Sequence, residues 1–389
     1  MKTFFVWTTL CICIHFSCNA NHQQNSELAL QNQTHKISTT KTDPNTSNIQ
    51  VALLLDTSNS MDGLIEQAKA QLWEIVNELS YARCGRNKIK LQIALYEYGN
   101  DGLPSTEGFI RQVLPFSEDL DEISKELFAL TTNGGNEFCG KVINTSINQL
   151  DWKKSNDDLK LIFIAGNEPF TQGPTNYRDA ATDALEKGIT INTIFCGNFR
   201  QGIDTKWKHG ADLTYGEYSA IDHNHQTVHI ATPYDDVILQ LNHQLNDTYI
   251  YYGSRGAQKR SMQMEQDRNA KSYSEANSVS RAVSKSSGFY KNESWDLIDA
   301  AKEDDFELEE IAEEQLPQEL KGKSKGELKK HIEEKSAKRK EIQQKIQELN
   351  KKRTTYIKEN RKKEDSNLEA ALLNAIKKQG KKKSFSWEE

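Results

Sequence analysis

Three largely apolar runs constrain this chain more than any other feature: "VALLL" (Val51–Leu55), "LKLIFIAG" (Leu159–Gly166) and "ITINTIFCG" (Ile189–Gly197). Apolar segments this short, with little alternation, read as strands covered on both faces, as in a parallel sheet. A helical pattern follows the first run, with Leu64, Ala68, Leu72, Ile75, Val76 and Leu79 spaced three and four apart. Further strands are expected in residues 88–99 and 109–116, and an edge strand in "DLTYGEYSAI". Helical spacing recurs at 118–130, 140–150, 177–188 and 235–253. Such alternation predicts an α/β domain over residues 49–253, a doubly wound, mostly parallel sheet with helices on both faces.

The flanks differ in kind. Lys2 precedes an apolar run from Phe4 to Phe16, and small or polar residues follow. This is the form of a signal peptide over residues 1–20, too short to span a bilayer comfortably. Cleavage after Ala20 and lipidation of Cys18 at a loose lipobox ("HFSC") both fit, and an uncleaved anchor is the bland alternative. Residues 21–48 are Asn-, Gln-, Thr- and Ser-rich and read as a disordered tether. The expected location is therefore the periplasm or cell envelope, with membrane contact only through a lipid anchor. The chain is 36% hydrophobic with net charge -6, which argues against a polytopic membrane protein and against a nucleic-acid partner.

Residues 254–293 read as a polar linker and residues 294–389 as a charged helical region. From about 326 to 362, Leu328, Ile332, Ile342, Ile346, Leu349 and Tyr356 form a seam in which Lys335, Arg339 and Arg353 intervene. That pattern suggests a coiled coil with polar interruptions, able to make a homo-oligomer. A solvated charged helix without a partner fits equally. Residues 366–379 form a further helical pattern, suited to folding back on the longer one as a hairpin.

The first apolar run ends in Asp56-Thr57-Ser58-Asn59-Ser60, at the carboxyl end of a strand, where open α/β sheets bind ligands. This Asp-x-Ser-x-Ser string, with a strand before it and a helix after, resembles the von Willebrand factor type A (vWA) domain. The resemblance covers roughly residues 48–252. It implies a Rossmann-like fold, a protein partner, and a metal-ion-dependent adhesion site in which a carboxylate and two hydroxyls hold Mg²⁺ or another hard divalent cation. The family's next metal residue is a threonine in a glycine-rich loop; here Gly134-Gly135 are followed by Asn136 and Glu137, with Thr131 and Thr132 upstream. Its second aspartate falls on Gly166, in "AGNE", beside Asn167 and Glu168. The site is thus degenerate. Asp56, Ser58, Ser60, Glu137 and Glu168 are the candidate metal ligands; Asn100, Asp101, Asn136 and Asn167 are candidate partner contacts. A metal-free relic, with Asp56 and the serines bonding backbone amides, remains open.

By the same topology Cys139 and Cys196 fall near the site face, so a disulfide between them is one expectation and two buried thiols the other. Cys84, after the first helix, belongs to the opposite face. No Gly-x-Ser-x-Gly elbow accompanies the histidines of "IDHNHQTVH" (His223, His225, His229), and no phosphate-binding glycine loop occurs. No catalytic residue is assigned. Tyr96 and Tyr98 end a strand near the site, as ligand-face or core residues. The expected function is non-enzymatic: protein binding through the vWA face, or an envelope scaffold assembled by the coiled coil.

Overall fold

The computed structural model describes residues 45–224, 230–360 and 368–387. The leader, Cys18 and nearly all of the tether lie outside the described residues. So do His225 and His229.

The chain runs β1 (Thr46–Asp56), α1 (Asp62–Leu79), β2 (Ala82–Arg83), β3 (Lys88–Tyr98), β4 (Ile110–Ser117), α2 (Leu120–Phe128) and α3 (Cys139–Gln149). It continues through β5 (Leu159–Gly166), α4 (Tyr177–Glu186), β6 (Thr190–Cys196), α5 (Phe199–Asp204), α6 (Trp207–Asp212), β7 (Tyr218–Ile221) and α7 (Asp235–Asn246). The remaining elements are α8 (Gly256–Tyr273), α9 (Glu275–Lys285), α10 (Leu297–Ala300), α11 (Lys325–Asn360), α12 (Leu368–Lys381) and β8 (Ser386–Trp387).

The main sheet has the order β4-β3-β1-β5-β6-β7. Every neighbouring pair is parallel except β3–β4. The doubly wound, mostly parallel sheet expected from the apolar runs is present, and β7 is its edge. The first strand starts at Thr46, so the last residues assigned to the tether belong to the sheet. One face of the sheet packs under α1, α7 and α12, with Val51, Leu55, Trp73, Phe163 and Ile376 in its core. The other packs under α3 and α4, with Leu54, Ile143, Ile162 and Ala184. These faces follow from the two-residue period of β1.

Residues 254–293 are not a linker. They contain α8 and α9, which pack on α2 and α1. Their buried faces mix apolar Val279, Ala282 and Val283 with an unusual number of polar side chains: Gln263, Gln266, Asn277, Ser280, Arg281, Ser284 and Lys285. Arg281 is 1% exposed and forms ion pairs with Asp121 at 2.8 Å and Asp267 at 2.6 Å, while Lys285 reaches Asp267 at 2.9 Å. Burial alone would raise the Asp267 carboxyl, but Lys285 and Arg281 overcome it and hold the group well below the usual carboxylate range.

The seam of α11 is likewise spent inside the chain. Leu328, Ile332, Ile342 and Ile346 are buried, the last two in the core shared with α1 and α7. The arginines that interrupt the seam are anchors. Arg339 binds Asp296 at 2.5 Å and Asp299 at 3.1 Å, and its guanidinium lies 4.1 Å from the Tyr249 ring centre. Arg353 binds Asp235 at 3.2 Å. This corrects the expectation of a free coiled-coil seam, because the sequence period is the same whichever surface covers it. Nor does α12 pair with α11 as a hairpin; it lies on α1 and over β5, β6 and β7. The described residues all belong to one compact unit.

Candidate functional site

The order of connections reverses between β1 and β5: the chain passes from β1 to β3 on one side and from β5 to β6 on the other. The carboxyl ends of these two strands therefore open a crevice, with Asp56 on one lip and Gly166 on the other.

Backbone hydrogen bonds lock three loops around it. Thr57 N–H donates to the Tyr98 carbonyl at 2.8 Å, Asn133 N–H to Thr57 at 2.9 Å, and Asp101 N–H to Gly134 at 2.5 Å. Gly99 has φ +81°, the left-handed region that favours glycine, and the chain needs its bare α-carbon for a second reason. A β-carbon there would stand 2.8 Å from Glu137 Cγ and 2.9 Å from Asp56 Oδ1. Gly99 thus makes room for two carboxylate side chains at once.

Asp56 is 0% exposed. Its Oδ1 accepts the Ser58 N–H at 2.8 Å, while Oδ2 is buried without a hydrogen-bond partner. Burial pushes this carboxyl up to about 7, opposed by hydrogen bonds from Ser58 and reinforced by the charges of Glu137 and Glu168. Glu137 is also raised, first by burial and then by Glu168 and Asp101. Ser58 Oγ lies 3.2 Å from Ser60 Oγ, and Asn167 Nδ2 donates to Ser60 Oγ at 3.2 Å. Ser60 is exposed and Glu168 half-buried; Glu168 also anchors the loop through its carbonyl, which accepts from Trp207 Nε1 at 2.7 Å.

The predicted residues therefore sort into two groups. Asp56, Ser58, Ser60, Asn167, Glu137 and Glu168 line one crevice, and Asn136 and Asp101 are exposed on its rim. Asn100 does not face a partner: it is 8% exposed, and its side chain bonds the Thr131 carbonyl at 3.0 Å and the Gly102 N–H at 2.8 Å. Thr132 Oγ1 is committed to Asp62. Tyr96 bonds Gln149 at 3.1 Å and is a core residue.

Cys139 and Cys196 are free, buried thiols rather than a disulfide. They belong to cores on opposite faces of the sheet, which explains why they do not meet. Burial raises both thiols above the ordinary range.

Sequence reasoning missed the role of Tyr98. It is 0% exposed, and its hydroxyl donates to the Ala165 carbonyl at 2.9 Å. A β-carbon on Gly166 would stand 2.5 Å from that hydroxyl and 2.9 Å from Asp56 Oδ2. The space a second aspartate would need is taken by a tyrosine from the neighbouring side of β1. The only signal in the sequence was the coincidence of a bulky strand-end residue with a glycine at an expected acid.

Among the described residues no cluster of three or more His, Cys, Asp or Glu side chains is placed to hold a metal ion. The donors that do converge are hydroxyls mixed with carboxylates, and a buried carboxylate oxygen lacks a partner. That donor set is oxygen-only and suits a hard cation rather than zinc.

Among solved structures, the chain is similar to BatB from Bacteroides thetaiotaomicron, at 16% identity and TM-score 0.34 over 45% of this chain and 90% of that one. It is similar to an aerotolerance-related membrane protein from Bacteroides fragilis, at 16% identity and TM-score 0.31 over 45% and 93%. It is also similar to the pilus adhesin SpaC from Lactobacillus rhamnosus GG, at 12% identity and TM-score 0.33 over 45% and 28%. No curated protein matches the chain. Among the described residues no helix is long and apolar enough to cross a membrane. Residues 50–205, which carry most of β1 through β6 and the whole crevice, match the model of the von Willebrand factor type A domain family.

Proposed function

We propose that this chain is an exported, non-enzymatic binding protein whose vWA domain docks a protein partner on the crevice at Asp56, with a divalent cation such as Mg²⁺ shared between the two. Domains of this type commonly serve protein–protein interaction. The observation that carries the reading is the partnerless Asp56 Oδ2, buried beside two further carboxylates and two serine hydroxyls. A buried polar atom without a partner costs on the order of 1–3 kcal/mol, more if charged, and a cation in the crevice would relieve that cost. Ser58 and Ser60 would supply hydroxyl ligands, Asp56 and a glutamate the negative charge, and the partner the remaining coordination. Asn136, Asp101 and Asn167 would meet the partner at the rim.

The leader at 1–20 and Cys18 would place the domain in the periplasm or on the cell envelope. The scaffold alternative loses its vehicle, since the seam of α11 is covered by the chain's own core.

The reading is tested by thermal unfolding with Mg²⁺, Mn²⁺ or Ca²⁺. A ligand at 100 times its dissociation constant stabilises by about 2.7 kcal/mol. At least one of the three cations should raise the midpoint of the native chain and leave Asp56→Ala unmoved. Equal response of both proteins, or of neither, rejects the cation and leaves a metal-free face.

A further inference from the structure

We propose that Glu137, rather than Glu168, is the second carboxylate of the Asp56 site, standing in for the acid that Gly166 cannot supply. The inference rests on the cation reading above and deepens it. Three observations carry it.

First, the position at residue 166 is closed to any side chain. Its β-carbon would lie 2.5 Å from Tyr98 Oη and 2.9 Å from Asp56 Oδ2. Second, Glu137 is brought to the same space as the ligand aspartate. Glu137 Cγ and Asp56 Oδ1 both stand within 2.9 Å of the β-carbon that Gly99 lacks. Glu137 is 6% exposed, so its side chain is held inside the fold and not left in solvent. Third, Ser58 belongs to the same buried group: its N–H donates to Asp56 Oδ1 at 2.8 Å, and its hydroxyl lies 3.2 Å from Ser60 Oγ. Glu168 is half-buried and bears on the other two acids as a nearby negative charge.

Placing a buried acid next to Asp56 with no basic partner is unfavourable unless something positive sits between them. A divalent cation of oxygen preference is the simplest such group. Its charge would be balanced by Asp56 and Glu137, and Glu168 would remain outside the inner ligands.

The test is Mn²⁺ binding to the full chain, read by the loss of the free-ion electron paramagnetic resonance signal. Native protein, Glu137→Gln, Glu168→Gln and Asp56→Asn would be compared, with circular dichroism to show that each is folded. Glu137→Gln should weaken Mn²⁺ tenfold or more, near the effect of Asp56→Asn, and Glu168→Gln by no more than about threefold. If Glu168→Gln weakens binding as much as Glu137→Gln, or more, the assignment is overturned while the cation reading stands. If the native protein binds no Mn²⁺ at millimolar concentration, both fall. Should Glu137→Gln not fold, Glu137→Asp decides: the shorter arm should also cost at least severalfold, and unchanged binding overturns the proposal.

Discussion

The hydroxyl of Tyr98 sits 2.5 Å from where a β-carbon on Gly166 would stand. The two residues lie on different strands, β3 and β5, with the carboxyl end of β1 between them. The relationship favours glycine at 166 for steric reasons, independent of backbone conformation. It also leaves no void beside Gly166: a buried tyrosine fills the volume, and its hydroxyl donates to the Ala165 carbonyl.

Gly166→Ala should therefore destabilise the domain by about 1–3 kcal/mol, the usual cost of overpacking a close-packed site. In a Tyr98→Phe background the same change should cost measurably less. Asp56 Oδ2, at 2.9 Å, keeps part of the penalty in place. Denaturant unfolding of the four proteins of this cycle gives the coupling directly. Additive effects would show that the two side chains do not share the space.

Asp56 has its proton affinity raised on folding, to about 7 from the ordinary 3.8. A group shifted upward contributes most to stability below the unfolded value, and that contribution is lost as pH rises through the folded value. Between pH 4 and 7, ionisation of Asp56 thus works against the fold in the absence of a cation. Asp56→Asn should be more stable than the native chain at pH 8, by an amount on the order of 4 kcal/mol, and the gain should shrink to nearly nothing by pH 4. A pH-independent difference between the two proteins would contradict this electrostatic account.

Arg339 is an anchor of the C-terminal helices and not a seam residue awaiting a second copy. Its guanidinium bonds Asp296, Asp299 and the Thr248 carbonyl in a buried setting. Arg339→Met leaves Asp296 buried and unpaired, which should cost about 3–5 kcal/mol. Lys338→Met, one residue away and exposed, should change stability by less than about 0.5 kcal/mol. Calorimetric unfolding separates the two.

Ile346 is 0% exposed against the chain's own core. Ile346→Ala should cost about 2–5 kcal/mol, with an unfolding midpoint that does not depend on protein concentration. A concentration-dependent midpoint, paired with a dimer by light scattering, would restore the scaffold reading of α11.

The sheet was legible because its strands are apolar and its helices amphipathic; the residues of β1, β5 and β6 announce themselves. The switch-point position of Asp56 followed from that order. What stayed hidden is polar. The buried faces of α8 and α9 interleave a few apolar residues such as Val279 and Val283 with Gln263, Gln266, Asn277, Arg281 and Lys285, and burial of the polar members is made tolerable by ion pairs such as Arg281 with Asp121, which no hydrophobic period reports. The seam of α11 was visible, but Leu328, Ile342 and Ile346 would look the same against a second helix or against this domain. In the site, the glycine at 166 could be read, whereas its contact with the Tyr98 hydroxyl could not, since the two positions are 68 residues apart and meet only across β1.

The most direct test of the central claim, that Asp56 and its hydroxyl neighbours hold a hard cation, is a calorimetric titration of the full chain with Mg²⁺ at pH 7.5. The account predicts a saturable single-site isotherm that Asp56→Ala abolishes. Heats indistinguishable from dilution for the native chain, with Mn²⁺ and Ca²⁺ equally silent, would contradict it.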